Sequence, residues 1–372
     1  MKVIVGLSGG VDSSVAVINL LKEGYDVEAM FMRNWDSATN NDIKGNPTLF
    51  DNVCPQEVDY QDALQVANKL NVKLHRVDFI EEYWNKVFSY FIDEYKKGRT
   101  PNPDILCNKE IKFKCFLEHA MRLGADYIAM GHYARVIHDG DKHYMLRGKD
   151  ENKDQTYFLS QISKDQLAKA LFPIGDMQKK DVRDKALEYD LVTAKKKDST
   201  GVCFIGERNF KEFLKNYLPA KPGVMKTIDG KVMGTHDGIM YYTIGQRHGL
   251  GIGGDGDAWF VVGKDLKENV LYVAQGKNNP LLFANRIIIS NINFFNEPPV
   301  DGAKISAKFR YRSKDVPVTI HYLNNEQIEV RTLEPAWAVT PGQACVFYDG
   351  EYCLGGGTID LVYMDDVKRN YW

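Results

Sequence analysis

Along residues 1 to about 210, short apolar runs alternate with stretches whose apolar positions recur every three to four residues. Residues 2–5, 27–32, 72–79 and 125–130 read as buried strands. Between them, 11–23 reads as a helix, 59–70 sets Ala63, Val66, Ala67 and Leu70 on one stripe, and 109–123 buries Phe113, Phe116, Leu117, Ala120 and Met121. Strand–helix alternation of this kind predicts an α/β fold with a doubly wound parallel sheet, which takes ligands at the C-terminal ends of its strands. Residues 6–13, 32–33 and 131–132 all fall at such ends and are expected to line one site.

The pattern changes after residues 217–219. From 223 to about 283 the chain is Gly-rich, with short β runs and turn pairs at Asp229-Gly230 and Asp237-Gly238. From 284 onward, short strands over 287–289, 304–311, 316–322, 327–333 and 344–348 predict a small β-barrel. The expected domains are therefore 1–212, a β-rich middle of 213–283, and a barrel of 284–372. Within 304–314, alternate positions carry Lys304, Ser306, Lys308, Arg310, Arg312 and Lys314. On one strand these would form a cationic stripe with a repeat of roughly 6.6 to 6.8 Å, suited to a nucleic-acid backbone.

Composition narrows the class. The chain is 44% hydrophobic and 26% charged, with a net charge of −2, so any polyanion site must be local. No apolar run approaches the ~20 residues of a membrane helix, and residues 1–5 are too short an apolar start for a signal peptide. A cytoplasmic protein without membrane attachment is expected. Six cysteines include no Cys-x2-Cys, and the eight histidines show no ligand spacing, so zinc-ribbon and iron–sulfur sites are not expected. His138 and His143 flank a polar turn and read as surface residues.

The chemistry concentrates in three places. Gly6-Leu7-Ser8-Gly9-Gly10-Val11-Asp12-Ser13 joins a strand to a helix, where unpaired N–H groups and the helix dipole favour a phosphate. Gly9 and Gly10 are expected to take unusual φ values, Ser8 and Ser13 to donate, and Asp12 to hold Mg²⁺. No lysine follows the glycines, which excludes a Walker loop, and three spaced glycines are missing for a dinucleotide fingerprint. The motif resembles the PP-loop of ATP pyrophosphatases. The long polar loop between Arg33 and Pro55 is placed to act as a lid over a nucleotide. Cys107 follows Thr100-Pro101-Asn102-Pro103-Asp104 and is expected just before a helix N-terminus, where thiolate is favoured. Asp104 is a candidate proton acceptor. Cys203 lies between Gly201 and Gly206, after Lys195-Lys196-Lys197, another setting that favours thiolate. Cys345 and Cys353, on a hairpin turning at Asp349-Gly350, should face opposite sides and not pair. With that turn Cys353 faces Val346. Cys115 and Cys54 carry no mechanism.

These motifs, with Met-Gly-His-Tyr-Ala at 130–134, Lys-Asp-Gln-x-Tyr-Phe-Leu at 153–159 and Tyr-Thr-Ile-Gly-Gln-Arg at 242–247, occur in an order that resembles the bacterial tRNA-specific 2-thiouridylase family over essentially the whole chain. The resemblance implies ATP-dependent thiolation of carbon 2 of the wobble uridine in tRNAs for Lys, Glu and Gln. It assigns ATP to Gly6, Leu7, Ser8, Gly9, Gly10, Val11, Asp12, Ser13, Met32 and Gly131, with Mg²⁺ and no other tightly bound metal or cofactor. It makes Cys203 the persulfide carrier and Cys107 the nucleophile, with a transient Cys107–Cys203 disulfide. Asn102, Pro103 and Asp104 would meet the flipped base. His132, Lys153, Asp154, Gln155, Arg310, Tyr311 and Gln343 would contact tRNA. The sulfur donor would be a cysteine desulfurase or a sulfur-relay protein. Two rival readings remain: a PP-loop ligase or amidotransferase, and a non-enzymatic ATP- or tRNA-binding protein.

Overall fold

The computed structural model describes residues 1–51, 54–198, 205–206, 208–219 and 221–369. Strands β1 (Lys2–Gly6), β2 (Asp26–Arg33), β3 (Leu74–Asp78) and β4 (Tyr127–Ala129) form the first sheet. A hairpin of β5 (Ala134–Asp139) and β6 (Lys142–Arg147) follows, and then β7 (Ala170–Leu171) completes that sheet in the order β3-β2-β1-β4-β7, all parallel. The period of two in β1 explains its central place. Val3 and Val5 pack into one core with helices α1 (Val11–Lys22) and α2 (Pro55–Lys69), whereas Ile4 packs into the other with Phe113 and Phe116. Both faces are thus covered, and no helix among the described residues is long and apolar enough to cross a membrane.

The helix expected from residue 109 starts earlier. Asn102 caps it, its side-chain oxygen accepting from Asp104 N–H (3.1 Å) and Ile105 N–H (3.4 Å), with Pro103 in the first turn. The helix runs over 103–122, with a π-helical middle at Cys107–Cys115.

In the middle of the chain, β8 (Gly223–Lys226), β9 (Val232–His236), β10 (Trp259–Asp265) and β11 (Val270–Gln275) form a four-stranded sheet ordered β10-β11-β8-β9. Strands β12 (Phe283–Phe294), β13 (Lys304–Lys308), β14 (Val316–Tyr322), β15 (Ile328–Trp337), β16 (Ala344–Asp349) and β17 (Tyr352–Met364) close a six-stranded barrel, because β17 pairs back onto β12. The far end of β17 also pairs with β6, at Tyr352↔Leu146 and Cys353↔Met145. The barrel and the first domain therefore share one continuous sheet.

Four local expectations are corrected. Strand β13 ends at Lys308: Phe309 is buried and Arg310 turns inward, so the cationic stripe does not extend along one strand to Lys314. The β16–β17 turn centres on Gly350-Glu351, so Cys353 lies opposite Tyr348 rather than Val346, with a bulge only beyond that pair. Cys345 and Cys353 still point to opposite faces, both as buried thiols. The described part of the loop after β2 packs on 208–217 rather than forming the expected lid. The Arg208 guanidinium meets buried Asp42 at 2.8 Å, Asn209 N–H donates to Gly45 O, and Tyr217 OH donates to Asn40 O. His138 and His143 face each other across the β5–β6 hairpin, half-buried, with their Nδ1 atoms 3.0 Å apart.

Candidate active site

The phosphate loop fits a nucleotide by what its backbone leaves open. Gly9 has φ +73°, and a Cβ added there would sit 2.1 Å from Asp59 O. Gly10, contrary to expectation, is extended (φ −103°, ψ 162°) and caps α1 without a side-chain hydrogen bond. The first-turn N–H groups therefore lack the carboxylate or hydroxyl cap that would compete with an anion. Ser8 and Ser13 hydroxyls lie 3.2 Å apart, and Ser13 Oγ donates to Gly10 O at 3.0 Å. Gly131 is required by proximity: its Cβ would meet Ser13 N at 2.7 Å. At Gly6 an added Cβ would meet only methionine side chains, Met130 Sδ at 2.6 Å and Met32 Cε at 3.7 Å. The sequence-predicted group at the three strand ends thus assembles in space.

Two lysines that the motif does not contain complete it. Lys179 Nζ lies 2.8 Å from both Asp12 carboxylate oxygens and 2.8 Å from Asp198. Lys196 Nζ donates to Gly9 O at 2.9 Å and pairs with Asp59 and Asp62. Lys196 thereby ties the phosphate loop to α2. Tyr133 OH donates to Asp12 at 2.8 Å, and burial together with that carboxylate raises the Tyr133 pKa. Burial pushes the Asp198 carboxyl up, but hydrogen bonds from Lys153 and Lys179 outweigh it and bring its pKa down to about 2. Asp12 is thus already neutralised by an ammonium, and among the described residues no group of three or more His, Cys, Asp or Glu side chains is arranged for a metal. A Mg²⁺ ion held by Asp12 would share its carboxylate oxygens with Lys179. The missing Walker lysine was the one sequence signal that a cation must come from elsewhere.

Cys107 is fully buried, five positions beyond the Asn102 cap and inside the helix rather than ahead of it. Asp104 stands in the first turn, half-buried. Cys203 lies outside the described residues. Asp198, just before that segment, is joined to Asp12 through Lys179.

Family models match the chain in succession: a tRNA methyl transferase HUP domain over residues 1–207, a tRNA methyl transferase PRC-barrel domain over 211–275, and an aminomethyltransferase beta-barrel domain over 284–359. A tRNA-specific 2-thiouridylase MnmA of Acholeplasma laidlawii is 59% identical over 373 residues, covering 100% of this chain and 99% of that protein. The same-named proteins of Staphylococcus carnosus and Bacillus cytotoxicus are 57% and 56% identical, covering 100% of this chain and 98% and 97% of theirs. This chain belongs to the MnmA family.

Within that family frame, the residues expected at tRNA separate into four groups. Asp154 and Tyr311 border a cleft of about 380 Å³ between the first domain and the barrel, together with Lys308 and Arg312. Asp154 itself is buried and accepts from Gly148 N–H and the Thr156 hydroxyl, and Tyr311 packs on Phe158 with ring centroids 4.3 Å apart. Lys153 pairs with Asp198, and Gln155 exchanges two 2.9 Å hydrogen bonds with the Tyr133 backbone, both beside the phosphate loop. Arg310 and Gln343 lie at domain junctions. Arg310 donates to Ile244 O (2.6 Å) and Thr340 Oγ1 (2.8 Å), and Gln343 donates to Thr100 O (2.8 Å). His132 is interior, between the Phe113 and Phe172 rings, and burial holds it neutral.

Proposed function

We propose that this MnmA-family enzyme thiolates carbon 2 of the wobble uridine in tRNAs for Lys, Glu and Gln, using ATP with Mg²⁺. Residues 1–212 would activate the base, and the domains at 213–283 and 284–372 would hold the tRNA. The carrying observation is the uncapped phosphate loop, linked by Asp12, Lys179 and Asp198 to the start of the Cys203 segment. ATP supplies the AMP that turns the base oxygen into a leaving group.

Ser8, Gly9, Gly10 and Ser13 hold the phosphates, Met32 and Gly131 border the nucleotide, and Lys179 moves from Asp12 onto the departing pyrophosphate. Asn102, Pro103 and Asp104 hold the flipped uridine, with Asp104 placed to take its N3 proton. The base O2 attacks the α-phosphorus and pyrophosphate leaves. The terminal sulfur of a Cys203 persulfide then attacks carbon 2, and AMP departs with the oxygen. Cys107 thiolate attacks Cys203 Sγ, leaving sulfur on the base and a Cys107–Cys203 disulfide, which an external dithiol reduces. The donor that reloads Cys203 is a protein persulfide, from a desulfurase or a relay, in the cytoplasm.

The test is mass spectrometry of tRNA after incubation with enzyme, ATP, Mg²⁺ and a persulfide source. Exchange of one oxygen for sulfur at the wobble uridine supports the reading. Unmodified tRNA overturns it, and nitrogen incorporation from ammonia replaces it with an amidotransferase.

A further inference from the structure

Residues 98–101 lead into the helix that carries Asn102, Asp104 and Cys107, and they are gripped from outside their own domain. Gly98 has φ +73°, and an added Cβ would lie 2.9 Å from both Leu266 δ-carbons of the middle domain. Its carbonyl accepts a 2.7 Å hydrogen bond from the Lys264 ammonium on β10. Thr100 Oγ1 lies 3.3 Å from Thr243 Oγ1. From the barrel, Pro341 O accepts from Thr100 N–H at 2.9 Å, and Gln343 donates to Thr100 O. Arg99 Nη2 reaches back to Ile359 O (3.0 Å) and Asp360 (2.8 Å). The first domain itself supplies Tyr95 O to Gly98 N–H and Glu94 O to Arg99 N–H.

Lys264 is the member the mechanism does not use. It is 2% exposed and ranks among the largest fully buried side chains. An ammonium carries three donors, and an apolar residue of similar volume would fill the space without the desolvation penalty. What the ammonium adds is a fixed point on one carbonyl, four residues before Asn102. We infer that Lys264 is a positioning residue for thiolation, holding the Gly98 carbonyl so that Asn102, Asp104 and Cys107 keep their place against the other two domains. This rests on the roles proposed above for those three residues; Lys264 itself touches neither base nor sulfur.

The experiment is single-turnover thiolation by the full-length enzyme, preloaded with persulfide, for wild type, Lys264→Met and Lys264→Gln. Displacement of a reacting group by about 1 Å from a remote change is worth up to about 100-fold in rate. Lys264→Met is expected to slow turnover by about 10- to 100-fold, with ATP and tRNA affinities within about twofold of wild type. Its melting temperature should not fall, because a buried charge has been removed. Lys264→Gln, which retains a donor, should recover part of the rate. Wild-type turnover in a folded Lys264→Met overturns the inference, as does loss of ATP and tRNA binding in parallel with turnover while the protein stays folded. Should Lys264→Met not fold, Thr243→Val is read by the same criteria on the same strap. Absence of thiolation by the wild-type enzyme would instead reject the parent function.

Discussion

Gly9 and Gly10 are adjacent and identical in sequence, yet the structure predicts opposite outcomes for Gly9→Ala and Gly10→Ala. At Gly9 the left-handed backbone is unfavourable for alanine by about 1–2 kcal/mol. The new methyl would sit 2.1 Å from Asp59 O, well inside contact distance, and overpacking of that kind is worth about 1–3 kcal/mol more. The sum, about 2–5 kcal/mol, corresponds to a fall in melting temperature of roughly 5–15 °C for a domain of this size. Relief would come by moving the loop away from α2, which also breaks the Lys196 bridge to Gly9 O. At Gly10 the extended backbone admits alanine, and its nearest neighbour is Ser8 Oγ at an ordinary 3.5 Å. That substitution should change stability by about 1 kcal/mol or less. Scanning calorimetry of both variants, with and without ATP, measures the melting temperatures and the ligand-induced rise, about 2.7 kcal/mol at 100-fold excess over Kd. Gly9→Ala melting like wild type and keeping the full ATP shift would refute the argument.

The remaining predictions concern chemistry, charge and pH. Turnover should release AMP and pyrophosphate, with Asp12→Ala and Lys179→Met severely impaired; ADP and phosphate as products would exclude a PP-loop reaction. Intact-mass labelling should show no persulfide on Cys203→Ser, whereas Cys107→Ser loads sulfur but fails to complete thiolation; equal loading of both would sink the assignment. Arg312→Ala, exposed at the cleft, should reduce the salt slope of tRNA binding by about one unit, and an unchanged slope in titrations removes that contact. Arg310→Ala should instead lower stability, since its guanidinium ties Ile244 O to Thr340. Burial brings Lys264 down to about 7, so between about pH 7 and 10 the unfolded chain binds the additional proton. Stability should therefore rise with pH across that window in wild type and lose that component in Lys264→Met, as denaturant titrations at several pH values would show.

What could be read from sequence was local. The strand, glycine turn and helix of the phosphate loop lie within 22 residues, and the alternation in β1 and the stripe in α2 settle which faces they bury. Lys179 was invisible because it comes 167 positions after Asp12 (179 − 12) and follows no local pattern. The helix start was misread because Pro101 and Pro103 look like breakers, whereas Pro103 occupies the one turn of a helix that accepts proline. The alternation of 304–314 reads as one strand until Phe309 and Arg310, where a bend delivers the guanidinium to another domain's carbonyl. The barrel's closure depends on β12 and β17 being 12 and 13 residues long, far beyond the apolar segment 287–289 that marks β12 in the sequence.

The pairing of β6 with β17 also places a constraint in time. Arg147 ends β6, and its partner strand begins at Tyr352, which leaves a ribosome 205 residues to add (352 − 147). At about 5–20 residues per second, the outer edge of the hairpin stays open for roughly 10 to 40 s while the first domain folds behind it. Leu146 and Met145, buried in the finished protein, stand on that waiting edge. Unpaired strand edges are templates for other chains. The interval between hairpin and barrel is thus when a nascent chain is most open to pairing with its neighbour on the same message, and shortening it by faster decoding of residues 148–352 should raise the yield of monomeric enzyme.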